Sequence, residues 1–244
     1  MKQLFVAPQD IRGDSARLRG EDFHHVVRVL RLRPGAALVL VDGTGLRYQG
    51  RLERIERSEA WVTIDERRVL APDPAPRLLL IDGLARSERT TLVLQKATEL
   101  GVDEFLPAIC TRSVTRPMDA ASKVERWQEI ARQAARQCER ARLPVIHAPR
   151  PWAAALQQVP AEALRLVAMP GAQDLAALEL RLRREASAVA IAVGPEGGLT
   201  ADELQQARAA AFEPVSLGPR VLRTETAAIA LLALAAYLCG RLAS

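Results

Sequence analysis

The pattern of apolar and polar positions changes character once, between residues 71 and 76. Before that point apolar residues come in short runs bounded by turn residues, the mark of half-buried strands. Ala37 to Val41 is an apolar run, Asp42-Gly43 and Thr44-Gly45 supply a hairpin turn, Tyr48 to Ile55 runs out as the partner, and Trp61 to Ile64 adds a further strand. Glu21 to Leu30 is predicted as a helix leading into Pro34-Gly35. Together these elements predict a small β-barrel with one helix.

Three alternating prolines in Ala71-Pro72-Asp73-Pro74-Ala75-Pro76 predict an extended linker, dividing a first domain at 1–70 from a second at 77–244. Beyond it, strands are predicted at Leu78 to Ile81, Phe105 to Ile109, Leu164 to Met169, Ala188 to Val193 and Pro214 to Leu217. Helices are predicted at Thr90 to Leu100, stopped by Gly101, and at Ser122 to Leu143, opened by Ser122 and Glu125 and closed by Pro144. Thr200 and Glu203 mark another helix start, and Thr224 is placed to cap a last apolar helix ending near Arg241. Strand and helix in alternation predict a mostly parallel sheet covered on both faces.

With 244 residues, 49% of them hydrophobic, the chain is long enough for two modest cores. The net charge is +5 and lysine occurs only at 2, 96 and 123, so the positive charge is almost entirely arginine, which suits planar phosphate recognition and permits an RNA partner. A GC-rich coding bias explains the same preference. Cys110, Cys138 and Cys239 are far apart and read as reduced thiols of a cytoplasmic protein. With His24, His25 and His147 they form no metal-ligand pattern, so no metal is expected. The N-terminus has no cationic segment followed by a long apolar core, so no secretory signal is expected. The uncharged run Ala227 to Cys239 falls short of the roughly 20 apolar residues a membrane span needs.

Two glycine-bearing loops carry the candidate chemistry. Val193-Gly194-Pro195-Glu196-Gly197-Gly198-Leu199-Thr200 and Leu217-Gly218-Pro219-Arg220-Val221-Leu222-Arg223-Thr224-Glu225-Thr226-Ala227 each leave a predicted strand and feed a predicted helix. Either alone reads as a turn; as a pair they read as a ligand site at the carboxyl ends of strands. Neither ends in Gly-Lys-Ser/Thr or follows Gly-x-Gly-x-x-Gly, which argues against a mononucleotide-phosphate site.

The pair closely resembles the C-terminal signature of the RsmE family, bacterial 16S ribosomal RNA uridine N3-methyltransferases of the SPOUT class. Further likeness lies in His25-Val26-Val27-Arg28-Val29-Leu30-Arg31-Leu32 with Pro34-Gly35, in Gln95-Lys96-Ala97-Thr98-Glu99-Leu100-Gly101-Val102, and in Trp127 with Ala134 and Gln137-Cys138. The chain departs from the family pattern at Lys2-Gln3-Leu4-Phe5, where an arginine often precedes an aromatic pair. It also departs at Ser87-Glu88-Arg89, where a Gly-acid-base triplet is common, and at Glu139, where the family usually has glycine.

The resemblance implies a PUA-like, RNA-binding β-barrel followed by an α/β SPOUT methyltransferase domain with a C-terminal trefoil knot. It also implies a homodimer, S-adenosyl-L-methionine as cofactor, and 16S rRNA of the small ribosomal subunit as substrate. Cofactor contacts are implied for Met169, Pro170 and Gly171, for Gly194, Pro195, Glu196, Gly197 and Gly198, and for Leu217, Gly218, Arg220, Val221, Leu222, Thr224 and Ala227.

Uridine N3 carries a proton at neutral pH, so the site must favour the uracil anion. Arg223, with Arg220 nearby, is the candidate to stabilise that charge. Glu196 or Glu225 is the alternative, as proton acceptor. Candidate RNA contacts are Arg28, Arg31 and Arg33, and Arg112 and Arg116 beyond a strand end, whereas Arg132, Arg136 and Arg140 read as a charged outer helix face. A noncatalytic RNA-binding or ribosome-assembly factor, or a SPOUT enzyme acting on a different RNA, is the competing reading.

Overall fold

The computed structural model describes residues 3–114, 119–174, 179, 182 and 187–242. The chain forms two compact units, one running to Pro72 and including Ala135–Leu143, the other taking Asp73–Ala134 and Pro144 onward. A boundary read from prolines alone does not anticipate that Ala135–Leu143 groups with the first unit, because that segment continues a helix begun in the second.

The first unit is a six-stranded sheet in the order β1-β4-β5-β6-β3-β2. Its strands are β1 (Gln3–Phe5), β2 (Ile11–Arg12), β3 (Ser15–Arg19), β4 (Ala37–Val41), β5 (Leu46–Ile55) and β6 (Glu59–Val69). All pairings are antiparallel except β1 with β4. The turn between β4 and β5 is held by Asp42, whose Oδ1 accepts from Thr44 N at 2.9 Å and whose Oδ2 accepts from the Tyr48 hydroxyl at 3.1 Å. Glu21 to Leu30, predicted as one helix, is instead α1 (Gly20–His24) followed by a π-helical turn over His25–Val29. That arrangement buries Val26 among Leu18, Leu38 and Leu40.

The second unit is built on a sheet ordered β10-β8-β7-β12-β11-β13, with β9 beside β8, and every pairing in it is parallel. Its strands are β7 (Arg77–Gly83), β8 (Glu104–Ile109), β9 (Val145–Ile146), β10 (Arg150–Pro151), β11 (Leu164–Asp174), β12 (Ala188–Val193) and β13 (Glu213–Ser216). Among the described residues its helices include α2 (Ser87–Glu99), α3 (Ala120–Gln137), α4 (Trp152–Leu156), α5 (Ala201–Ala209) and α6 (Thr224–Leu238).

Successive residues of a strand face opposite sides, and β7 shows the consequence. Leu78 and Leu80 pack with Val93 and Leu94 of α2, Trp127 of α3 and Leu231 and Leu232 of α6. Leu79 and Ile81 pack with Trp152 and Leu156 of α4, Ala207 of α5 and Phe212. Both faces are thus covered, as the strand–helix alternation predicts.

Helix ends follow chain chemistry closely. At α5 the Thr200 hydroxyl accepts from Glu203 N and the Glu203 carboxylate accepts from Thr200 N, a complete capping box. At α3 the expected Ser122–Glu125 box is replaced by Asp119, one turn earlier, whose Oδ1 accepts from Ser122 N at 3.1 Å. Helix α2 closes as predicted at Gly101, with φ +84° and Val102 N donating to Ala97 O at 2.9 Å. The same closure ends α3 with Glu139 at φ 58° and Arg140 N donating to Ala135 O at 2.9 Å. Glu139, where the resemblance leads one to expect glycine, thus has a left-handed backbone.

The predicted outer arginine stripe of α3 is partly engaged. Arg136 donates to Asp22 Oδ1 at 2.7 Å, and Arg132 pairs with Glu129 at 3.0 Å. Among the described residues no helix is long and apolar enough to cross a membrane.

Candidate functional site

Strands β12, β11 and β13 lie side by side and run parallel, so the segments leaving their carboxyl ends emerge along one sheet edge. Val193 opens the first glycine loop and Ser216 the second. Strand β11 loses regular pairing with β13 between Ala168 and Gln173, so Met169, Pro170 and Gly171 fall in an irregular stretch. These three segments surround a cavity of about 360 Å³, closed by Leu204 of α5 and by Ala227 and Leu231 of α6.

The residues singled out in the sequence are brought together here, with exceptions. Met169 and Pro170 line the cavity, as do Gly194, Pro195, Glu196 and Gly198, and Leu217, Arg220, Val221, Leu222, Thr224 and Ala227. Gly171, Gly197 and Gly218 are not part of its lining. Gly218 serves the turn, with φ +101° and nothing within 4 Å of the place a Cβ would take. At Gly194 a Cβ would stand 2.8 Å from Leu199 Cγ, so its missing side chain makes room for Leu199.

Arg223 does not line the cavity. It is exposed, in extended conformation (φ −61°, ψ 149°), between Leu222 and Thr224, which do line it. Arg223, rather than Thr224, takes the N-cap position of α6, without a side-chain cap. The Thr224 hydroxyl is engaged elsewhere, accepting from Arg89 Nε at 2.8 Å.

Arg89 belongs to a buried cluster that the sequence reading passes over. Its Nη2 and Nη1 donate to Asp82 Oδ1 and Oδ2 at 2.8 and 3.1 Å, and Nη1 also donates to Gly83 O at 2.9 Å. Asp82 is fully buried and Arg89 nearly so. Burial pushes the Asp82 carboxyl up to about 6 against the opposing pull of Arg89, with the charge of Glu225 adding to the rise. A carboxylate at the end of the apolar run Leu78 to Ile81 is the available signal, since a buried charge requires a partner.

A second carboxylate organises the other side of the site. Glu203 accepts from Thr111 N at 2.7 Å and from Thr200 N at 2.8 Å. Burial raises its pKa, but these hydrogen bonds outweigh burial and the net shift is downward. Arg112, next in the chain to Thr111, is a candidate RNA contact whose Nη1 instead donates to Gly197 O at 2.9 Å, within the first glycine loop. Arg28, Arg31 and Arg33 are exposed, and Arg116 lies outside the described residues. Among the described residues no cluster of three or more His, Cys, Asp or Glu is placed to hold a metal ion.

Residues 72–236 match the model of an RNA methyltransferase domain, and residues 18–65 that of an RNA methyltransferase PUA domain. The ribosomal RNA small subunit methyltransferase E of Mycobacterium bovis is 35% identical over 94% of this chain and 88% of its own length. The chain belongs to the ribosomal RNA small subunit methyltransferase E family. The family protein of Synechocystis is 33% identical over 92% of this chain and 74% of its own length. A crystal structure of the family protein from Neisseria gonorrhoeae, bound to S-adenosyl methionine, superposes with a TM-score of 0.85 at 33% identity and covers 98% of both chains. A putative methyltransferase of Legionella pneumophila, in complex with the same cofactor, gives a TM-score of 0.85 at 29% identity over 96% of both chains. Membership of the methyltransferase E family thus extends through both units.

Proposed function

We propose that this chain transfers a methyl group from S-adenosyl-L-methionine to N3 of a uridine in the 16S rRNA of the small ribosomal subunit. The observation that carries the reading is the convergence of the Met169–Pro170 stretch and both glycine loops on one cavity, in a chain of the methyltransferase E family. About 360 Å³ is within the range of small-molecule sites, roughly 300–1,000 Å³. The wall is mainly apolar side chains with loop backbone between them, which suits an adenosine and a methionine chain.

When bound, S-adenosyl-L-methionine supplies an activated methyl on a sulfonium. The protein's task is then alignment, exclusion of water and stabilisation of the uracil anion. Leu217, Val221 and Leu222 provide apolar contact, and the backbone around Gly194 and Gly198 provides donors and acceptors. Arg223 is exposed and lies in the chain between two lining residues, and we assign to its permanent positive charge the stabilisation of charge developing on the uracil carbonyls. Glu196 and Glu225 are the alternative proton acceptors. Glu196 is exposed, and Glu225 is partly buried beside Thr224.

We further read the second unit as a trefoil-knotted SPOUT domain, supported by the non-sequential strand order β7-β12-β11-β13. The first unit is read as the RNA-binding PUA-like barrel, with Arg28, Arg31 and Arg33 as exposed phosphate contacts. The protein is read as a homodimer of the cytoplasm. Leu234 and Tyr237 of α6, 41% and 64% exposed, support self-association.

The test is calorimetric titration with S-adenosyl-L-methionine, followed by methyl transfer to purified small ribosomal subunits. Saturable binding with label transferred to the RNA is expected. Cofactor binding without transfer to small-subunit RNA would contradict the reading and favour a different RNA substrate, and failure to bind the cofactor would favour a noncatalytic assembly factor.

A further inference from the structure

The fully buried Asp82–Arg89 pair sits beneath the site, yet the chemistry above assigns it no task. Such pairs contribute little net stability, because desolvation offsets their attraction, so their placement needs another explanation. Here placement is specific. The guanidinium is a rigid planar fork whose two terminal nitrogens are taken by the two Asp82 oxygens, leaving Nε aimed at the Thr224 hydroxyl at 2.8 Å. Thr224 is the first residue of α6 and follows Arg223 directly.

The strand end that holds this fork is itself fixed to the first glycine loop. A Cβ on Gly83 would stand 2.6 Å from Pro195 N and 2.8 Å from Gly194 C, so the two backbones are in direct contact. The end of β7 therefore meets the first glycine loop directly and, through the Asp82–Arg89 pair, the start of α6. An arginine serves this geometry where a lysine would not, since lysine offers a point charge without the fork.

We propose that Arg89, oriented by Asp82, is a positioning residue for methyl transfer: it holds the Thr224 hydroxyl and thereby fixes where Arg223 stands relative to the cavity. The inference rests on the role given above to Arg223. Arg89 does not touch the reacting atoms, and its effect reaches them through the start of α6.

The deciding experiment compares Thr224→Val, which removes the acceptor at nearly constant shape, with Thr224→Ser, which keeps it. Steady-state kinetics on small ribosomal subunits is read together with the melting temperature. Losing an acceptor for a charged donor is expected to lower kcat about 10-fold or more in Thr224→Val, a larger effect than its change in KM for either substrate. Thr224→Ser, which keeps the acceptor at the same place in the cavity wall, is expected to recover most of the kcat that Thr224→Val loses. Arg89→Lys, which keeps the charge opposite Asp82 but not the fork, is expected to lose kcat as Thr224→Val does.

A Thr224→Val enzyme with parental kcat would overturn the proposal. So would equal losses in Val and Ser, or a loss confined to KM for the cofactor, since either would make Thr224 a wall residue only. If the unaltered protein transfers no methyl to the RNA, the assignment of the site fails first and the role of Arg89 falls with it.

Discussion

Arg112 Nη1 donates to the Gly197 carbonyl at 2.9 Å, joining the segment after β8 to the Gly-Pro-Glu-Gly-Gly loop that lines the cavity. The two residues also meet through side-chain space, because a Cβ on Gly197 would lie 3.0 Å from Arg112 Cβ. The shape of this loop and the position of a basic segment are therefore linked.

Removing that link by Arg112→Ala is expected to weaken S-adenosyl-L-methionine binding about threefold to tenfold, the roughly 0.5–1.5 kcal/mol of an ordinary net hydrogen bond, since solvent screens the guanidinium charge. The melting temperature is expected to change little, because the side chain is exposed. Calorimetric titration of the variant checks this, and unchanged affinity would mean that the loop holds its shape without Arg112.

Glu203 gives the site a definite acid response. Its folded-state pKa lies below the ordinary 4.5, so its stabilising contribution is fully present above that value and is lost as pH falls through the folded-state value. Glu203→Gln is expected to be less stable than the parent at pH 7, with the gap closing below about pH 4.5. Urea denaturation at several pH values measures the gap directly, and a gap independent of pH would contradict the assignment.

Glu139 closes α3 in the left-handed region at φ 58°, where a residue with a Cβ costs about 1–2 kcal/mol. Glu139→Gly is expected to raise stability by about 1 kcal/mol, less than the full strain because glycine also frees the unfolded chain. Thermal denaturation tests this. A lower melting temperature would mean that the Glu139 side chain makes a compensating contact.

Much of this organisation is legible in the sequence where a local rule dominates. Ala37 to Val41 and Ala188 to Val193 are strands over the predicted residues, and the Thr200–Glu203 box forms as its spacing requires. Each depends only on near neighbours. What the sequence hides is decided at a distance. The π-helical turn at His25–Val29 forms where Val26 must reach the barrel core, and Arg136 is drawn from the expected solvent face to Asp22. Thr224 loses its expected capping role because Arg89, 135 residues away in the chain, claims its hydroxyl. The cavity itself depends on β12, β11 and β13 being neighbours out of chain order, which periodicity cannot reveal.

The most direct test of the central claim is nucleoside mass spectrometry of small-subunit RNA after incubation with labelled S-adenosyl-L-methionine and either the parent protein or Arg223→Ala. Label in 3-methyluridine is expected with the parent, and a loss of about 100-fold or more in rate with the variant, the magnitude typical of one preorganised electrostatic group. Label on a ribose or on another base, or full activity in Arg223→Ala, would contradict that claim.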